Sequence, residues 1–382
     1  MACGSTPREL RKFFAPEFVF GAGALELAGR YAHNLGARQV LVVSDPGVRA
    51  AGWLDQVAAS LEGVGLPWTC FDGVSPNPRA EEVAEGARFY AACGADVILA
   101  LGGGSPMDCA KGILVVAANG GDVRDYEGVD EVAQPGPPLI CIPTTAGTAA
   151  DVSQFAIISD RQAGRKFAII SRKVVPDVAL IDPRTLDTAS PFLRACTGMD
   201  ALTHAAEALV SNAGGPLTEL HALEAVRLVA DHLQEAVEKG TETSQEGMMR
   251  ASLEAGLAFS NASLGAVHAM AHALGGLMDL PHGLCNALLL PHVVAFNFAE
   301  SSACYALLAR ALGVEGAGRE ELVRALLDLN VRLGIRQGLG DLGVTREALG
   351  DLARTAHLDP CLVTNPRAAS PEDLEVVYAE AL

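Results

Sequence analysis

Leu99-Ala100-Leu101-Gly102-Gly103-Gly104-Ser105-Pro106-Met107-Asp108-Cys109-Ala110-Lys111 reads as a buried strand, a glycine turn and the first turns of a helix. Three glycines let the backbone approach a ligand closely. Ser105 or Asp108 can cap the helix, and Pro106 fits its first turn. Free amides at such a helix end, aligned with the macrodipole, form a seat for pyrophosphate. The turn departs from the dinucleotide fingerprint G-x-G-x-x-G, because Met107 stands where the last glycine belongs. A tight strand-to-helix turn with no ligand would have the same composition.

The chain around this turn repeats its texture up to about residue 182. Short apolar runs at 40–45, 96–101 and 138–143 alternate with helical stretches at 80–93 and 108–118. That alternation marks a parallel sheet covered on both faces. Residues 154–159 and 166–171 flank a polar break and read as a hairpin. Asp45 ends the first run at the carboxyl end of its strand. A carboxylate there can accept both hydroxyls of an adenosine ribose, and a turn-forming Asp before Pro46 reads equally well. Gly21-Ala22-Gly23 has two of the fingerprint glycines, but Glu26 in the third place would repel a phosphate.

After Ile181-Asp182-Pro183 the β-branched runs nearly vanish. Ala, Leu and Glu then recur at three- and four-residue spacing over 200–210, 216–238, 246–261 and 320–333, which predicts a helical domain. No internal repeat or low-complexity linker intervenes. The expected domains are 1–188, α/β and dinucleotide-binding, and 189–382, all-α, holding metal and substrate. A short hinge near 183–190 joins them, and the cleft between them is the natural ligand site.

Half of the 382 residues are hydrophobic and 19% are charged, which excludes intrinsic disorder. Lys and Arg total 28 against 46 Asp and Glu, a formal charge of −18 that disfavours nucleic acid and anionic membrane surfaces as partners. No apolar stretch is long enough for a bilayer span, and Arg8, Glu9, Arg11 and Lys12 stand where a signal peptide needs its apolar stretch. Nine cysteines include no Cys-x-x-Cys pair, and several lie in apolar runs such as Leu139-Ile140-Cys141-Ile142. Reduced thiols behave there as small hydrophobes, so a cytoplasmic address is expected.

Nine histidines occur, and His268, His272, His282 and His292 lie close together. Upstream, Asp200 and His204 are four apart, with Thr197 as an expected helix cap. His268 and His272 repeat the spacing, which stacks both members on one helix face roughly 6 Å apart. His282 follows Pro281 and is expected in a loop. His292, after Pro291, reads as structural. A lone histidine on an apolar helix is usually a hydrogen-bonded core residue. Two such pairs with a further histidine point instead to a divalent metal such as Fe(II) or Zn(II). Spacing alone leaves open which of His268 and His272 is the ligand.

Together these stretches resemble the iron-containing (group III) alcohol dehydrogenases along nearly the whole chain. The resemblance rests on Gly102–Lys111, Pro143-Thr-Thr-Ala-Gly-Thr148, Gly198-Met-Asp-Ala-Leu-Thr-His204, His268-Ala-Met-Ala-His272-Ala-Leu-Gly275, Leu280-Pro-His-Gly283 and the tail Asp359-Pro-Cys361-Leu-Val-Thr-Asn365-Pro-Arg367. It implies a dehydroquinate synthase-like architecture and metal ligands Asp200, His204, His268 and His282, with His272 left as a proton relay. It also implies nucleotide contacts at Asp45, Asn77, Gly103, Gly104, Ser105, Thr144, Thr145, Thr148 and Lys166. Phe155 and Phe259 would wall the substrate pocket, with Cys361 within reach.

The implied activity is NAD-linked interconversion of short primary alcohols and aldehydes with one divalent metal per chain, in a homo-oligomer of two or more copies. Ala149-Ala150-Asp151 departs from the family's usual Gly-Ser-Glu or Ala-Ala-Glu. The runs Pro106–Lys111 and Asp151-Val-Ser-Gln-Phe155 are similar to a subgroup associated with alcohol-dependent regulation. Competing readings are a zinc-dependent glycerol-type polyol dehydrogenase, a related sugar-phosphate lyase and a regulatory protein that binds alcohol or nucleotide as a signal. The lyase would need a basic phosphate cluster, and residues 200–292 offer only Arg227, Lys239 and Arg250, none beside the histidines.

Overall fold

The computed structural model describes residues 12–382, which form two compact units: residues 15–189, and residues 12–14 with 190–382. The first unit carries the strands β1 (Glu17–Phe20), β2 (Val40–Val43), β3 (Trp68–Phe71), β4 (Val97–Gly102), β5 (Gly128–Val129), β6 (Leu139–Pro143), β7 (Phe155–Asp160), β8 (Arg165–Ile170) and β9 (Val178–Ile181). Its helices are α1 (Ala28–Asn34), α2 (Pro46–Ala50), α3 (Trp53–Gly63), α4 (Ala80–Cys93) and α5 (Gly104–Asn119). Six strands form a parallel sheet in the order β1-β9-β6-β4-β2-β3. A smaller sheet orders β5-β8-β7, and its antiparallel β7–β8 pair is the expected hairpin.

Strand alternation explains why the apolar runs are continuous. Val40, Val42, Leu99, Leu101, Ile140 and Ile142 pack into one core with Leu54, Val57 and Leu61 of α3. Leu41, Val43, Ile98, Ala100 and Cys141 belong to the opposite core with Val83 of α4 and Met107 and Ile113 of α5. Both faces of the sheet are therefore dry, and each fully buried Leu or Ile contributes roughly 1.5–3 kcal/mol.

Strand β2 has β3 on one side and β4 on the other, so the strand order reverses there. In open α/β sheets ligands bind outside the carboxyl ends of the strands at such a reversal. Asp45 follows β2 and Gly103 follows β4, so both stand at that point. The expected caps of α5 need correction. Gly103 is its N-cap without any side-chain cap, because Ser105 and Asp108 already lie inside the helix. At the other glycine pair, Gly23 and Leu25 donate their N–H groups to Asp182 Oδ2 at 2.9 and 3.3 Å, so the protein's own carboxylate uses that turn.

The second unit is helical: α6 (Pro191–Val210), α7 (Pro216–Glu238), α8 (Glu242–Ala262), α9 (Ala266–Met278), α10 (His282–Asn297), α11 (Ser302–Ala311), α12 (Arg319–Arg332), α13 (Leu349–His357) and α14 (Pro371–Glu380). Thr197 is not the cap expected of it. Ser190-Pro191 starts α6 earlier, with Ser190 Oγ accepting the Leu193 N–H, and Thr197 Oγ1 donates to the Leu193 carbonyl inside the helix. Residues 266–275 of α9 are buried throughout, which its nearly unbroken apolar composition dictates. No helix of the described residues is long and apolar enough to cross a membrane.

Candidate metal centre

Helix α6 presents Asp200, His204 and Glu207 at spacings of four and three, so their side chains share a face. Helix α9 supplies His268 and His272. His282 is the first residue of α10, with Pro281 as its N-cap, and not the loop residue expected from sequence. Proline's fixed φ suits a helix start, so the chain turns helical one residue after it. Gly283 decides where that first turn lies. A Cβ there would collide with the Cys196 carbonyl of α6, so only glycine lets α10 press onto α6 beside Asp200.

Around Asp200 Oδ1 stand His268 Nε2 and His282 Nε2, each at 3.7 Å, and His204 Nδ1 at 3.9 Å. The donor atoms of Asp200, His204 and His268 all lie within 4.8 Å of one another, and His282 Nε2 adjoins them at Asp200, an arrangement that suits a divalent ion. Asp200, His204 and His268 are buried. Phe259 covers the His204 ring at 4.2 Å between centroids, and His204 stacks on His268 at 4.5 Å.

Burial pushes the Asp200 carboxyl up, but His204, His268 and His282 outweigh it and hold the group well below the usual carboxylate range. Burial likewise pushes His268 down, while Glu207 and Asp200 on either side of the ring raise it to about 9. Two buried carboxylates flanking imidazoles make the location attractive to a cation. The donor set therefore fits the divalent metal that the sequence suggests.

The structure brings Asp200, His204, His268 and His282 together and sets His272 on a different partner. His272 Nδ1 is 2.8 Å from Asp359 Oδ2, while its ring stacks on His282 at 5.3 Å between centroids. Asp359 Oδ1 accepts the Cys361 N–H at 2.8 Å. Burial opposes ionisation of Asp359, and His272 more than offsets it, leaving the carboxyl below its usual range. Burial first, then Asp359, pushes the Cys361 thiol well above its usual range, so it stays neutral. The donor atoms of His272, Asp359 and Cys361 form a second compact group within 4.8 Å.

Four polar residues in this region went unassigned in the sequence. Glu207 Oε2 contacts His268 Nδ1 at 2.6 Å. Asn286 Nδ2 faces Asp200, Asp359 orients His272, and Asn365 Oδ1 accepts the Ala266 N–H at the start of α9. Helical spacing pointed to two of them. Glu207 is three residues past His204, and Asn286 is four past His282. Asp359 and Asn365 reach α9 from far along the chain, and no local pattern announces that.

In the α/β unit, the Thr144 N–H donates to the Gly102 carbonyl at 2.9 Å, which turns the following residues toward the glycines. A Cβ on Gly103 would lie 3.2 Å from Thr145 Oγ1, and one on Gly104 would lie 3.0 Å from Thr148 Cγ2. Thr145 Oγ1 is buried with no hydrogen-bond partner among the described residues, an orphan donor beside the open helix end. Ser105 lies in the first turn of α5. Asp45 Oδ1 accepts the Val48 N–H at 2.9 Å, capping α2, and Oδ2 lies on the Gly102 side. Both sequence readings of Asp45 thus have a carboxylate oxygen available. Lys166 Nζ donates to Asn77 Oδ1 at 2.7 Å. Phe155 opens β7, buried, and its carbonyl accepts from the buried Lys111 Nζ at 2.7 Å. The open end of α5, the Thr145 hydroxyl and Asp45 Oδ2 are groups of the kind a dinucleotide needs.

Comparison with known proteins agrees with this chemistry. Residues 15–183 match the model of the iron-containing alcohol dehydrogenases, and residues 194–382 match the C-terminal model of the Fe-containing alcohol dehydrogenase family. Alcohol dehydrogenase 4 of Schizosaccharomyces pombe is 41% identical, over 97% of this chain and 89% of its own. The 1,3-propanediol dehydrogenase of Klebsiella pneumoniae is 38% identical, over 95% and 96%. A crystal structure of 1,3-propanediol oxidoreductase superposes with a TM-score of 0.94 at 37% identity, covering 98% of this chain and all of that one. The chain belongs to the iron-containing alcohol dehydrogenase family, whose members are oxidoreductases acting on CH–OH groups with NAD and a divalent metal.

Proposed function

We propose that this chain interconverts short primary alcohols and their aldehydes, with Asp200, His204, His268 and His282 holding the metal and His272 relaying the proton. The observation that carries the reading is the convergence of those four side chains from three helices, with the His272–Asp359 pair adjoining them. When bound, the ion supplies Lewis acidity that lowers the pKa of an alcohol hydroxyl, and the nicotinamide accepts hydride.

The protein's own part is positioning and proton handling. Glu207 holds the His268 ring through Nδ1 and leaves Nε2 for the metal. Asp359 holds His272 through Nδ1, so Nε2 exchanges the proton and the carboxylate stabilises the imidazolium. Phe259 and the neutral thiol of Cys361 add apolar surface here, which favours aliphatic alcohols over polyols.

For the dinucleotide, the amides at Gly103, Gly104 and Ser105 would take the pyrophosphate, and Asp45 the adenosine ribose. Thr144, Thr145, Thr148, Asn77 and Lys166 complete that surface. The same reading has the enzyme working in a reducing cytoplasm as a homo-oligomer.

The test is His268→Ala and His282→Ala, each assayed for bound metal and for oxidation of ethanol, propanol, butanol and glycerol. Metal and activity should vanish together, and the unmodified enzyme should favour the monohydric alcohols. Stoichiometric metal in both variants would overturn the ligand assignment, and a preference for glycerol would overturn the substrate class.

A further inference from the structure

Asn286 is fully buried on α10, one helical turn beyond His282. Its Nδ2 lies 2.7 Å from Asp200 Oδ1, 3.2 Å from His268 Nε2 and 3.2 Å from His282 Nε2. Its Oδ1 is buried with no hydrogen-bond partner among the described residues. Buried amides in folded proteins are normally satisfied at both ends, and an unpaired carbonyl oxygen is costly to hold. A leucine of nearly the same size would fill the space without that cost. Whatever keeps an amide here acts through its donor end.

That end has a specific place. It meets one carboxylate and two imidazoles that belong to α6, α9 and α10, and these three atoms are metal donors in the reading above. With Nδ1–H directed to Glu207, His268 turns Nε2 to the same point, and that nitrogen must give up its proton to ligate a metal. In that metal-ready protonation state, a carboxylate oxygen and imidazole lone pairs that converge repel one another. An N–H group among them relieves that repulsion as a weak, fixed substitute for positive charge. The two hydrogens of the amide are shared among three acceptors, so the arrangement is a gathering of ligands around one donor and not a saturated hydrogen-bond set.

We propose that Asn286 is a positioning residue for the metal site. Its amide holds Asp200, His268 and His282 in ligating register before the ion arrives and fixes the Asp200 carboxylate afterwards. The proposal rests on the ligand assignment of the preceding section and adds to it a residue that is not itself a ligand. Groups that orient metal ligands through hydrogen bonds are typically worth 10–100-fold in affinity.

The experiment uses Co2+ as the probe, because its visible absorption reports ligand geometry. Asn286→Leu and Asn286→Ala are compared with the unmodified protein and with His282→Ala. Co2+ affinity is measured by competition with a chromophoric chelator, and the Co2+ spectrum and metal-free thermal unfolding are recorded. Both Asn286 variants should bind Co2+ 10–100-fold more weakly and show altered visible bands, while the metal-free unfolding midpoint of at least one stays near that of the unmodified protein. Unmodified affinity and spectrum in a folded Asn286 variant, beside a His282→Ala protein that has lost Co2+, would overturn the proposal and leave the ligand assignment standing. Full Co2+ binding by His282→Ala would instead overturn the ligand assignment, and the proposal with it.

Discussion

Glu207 holds His268 and the residue before it: Oε2 lies 2.6 Å from His268 Nδ1, and Oε1 accepts the Val267 N–H, also at 2.6 Å. One buried carboxylate of α6 therefore fixes both the ring of a candidate ligand and the first turn of the helix that bears it. Replacing Glu207 by Gln keeps the volume but allows an N–H to face Nδ1, which reverses the tautomer a metal requires. Glu207→Gln should weaken metal binding 10–100-fold, as measured by chelator competition. Unchanged affinity would mean that the contact only anchors the helix.

The His272–Asp359 pair yields a different signature. His272→Ala should retain its metal and lose about 10²–10⁴-fold in kcat, the usual cost of a missing acid–base group. Asp359→Asn should fall in the same direction and by less, since the relay keeps its imidazole and loses the carboxylate that stabilises its charged form. Metal analysis beside steady-state kinetics separates the roles. A metal-free His272→Ala protein would exchange the assignments of His268 and His272.

The α/β half was legible because its signals are local. Runs such as Val40–Val43 and Val97–Gly102 are apolar on both faces, and glycines mark where a strand gives way to a helix. The paired spacings at 200/204 and 268/272 were equally plain. What escaped was whatever depends on distant chain segments meeting. Asp359 bonds His272 across 87 positions of sequence, and Asn365 caps α9 across 99. Thr197 misled because a threonine before an apolar helical stretch resembles a cap, while the stronger Ser190-Pro191 start lay several residues earlier. His282 misled because its proline neighbour starts a helix as readily as it ends one.

Asp151 is buried, and burial raises its carboxyl from 3.8 to about 6 despite its own backbone N–H and Lys111. The folded state thus binds a proton that the unfolded state has released between about pH 4 and 6. This group's contribution to stability is fully present below the unfolded pKa and is lost as pH rises through 6. Asp151→Asn removes that dependence. Relative to the unmodified protein, the variant should gain up to about 3 kcal/mol between pH 4 and pH 7, taking 1.36 kcal/mol per pKa unit. Urea unfolding of both proteins across that range checks the sign, and a difference that does not vary with pH would show that Asp151 is charged throughout.

Cofactor choice turns on Asp45, whose Oδ1 is committed to the Val48 N–H while Oδ2 stays on the side of Gly102. A ribose hydroxyl reaching Oδ2 would make a charge-assisted hydrogen bond. NADP puts a phosphate of roughly −1.5 to −2 charge in that place. Setting two anions in contact costs several kcal/mol, and each 1.4 kcal/mol is tenfold in affinity. The neighbouring arginine cannot offset this freely, because Arg49 Nη1 is paired with Asp72 Oδ2 at 2.5 Å. NAD should therefore be preferred by at least ~100-fold in kcat/KM, taking ~3 kcal/mol as a low figure for the repulsion. Asp45→Gly should narrow the preference mainly by improving NADP. Its loss of the α2 cap should cost only a few tenths of a kcal/mol, since glycine is itself tolerated at that position. Steady-state kinetics with both cofactors decide the matter, and equal use of the two by the unmodified enzyme would show that Asp45 serves α2 alone.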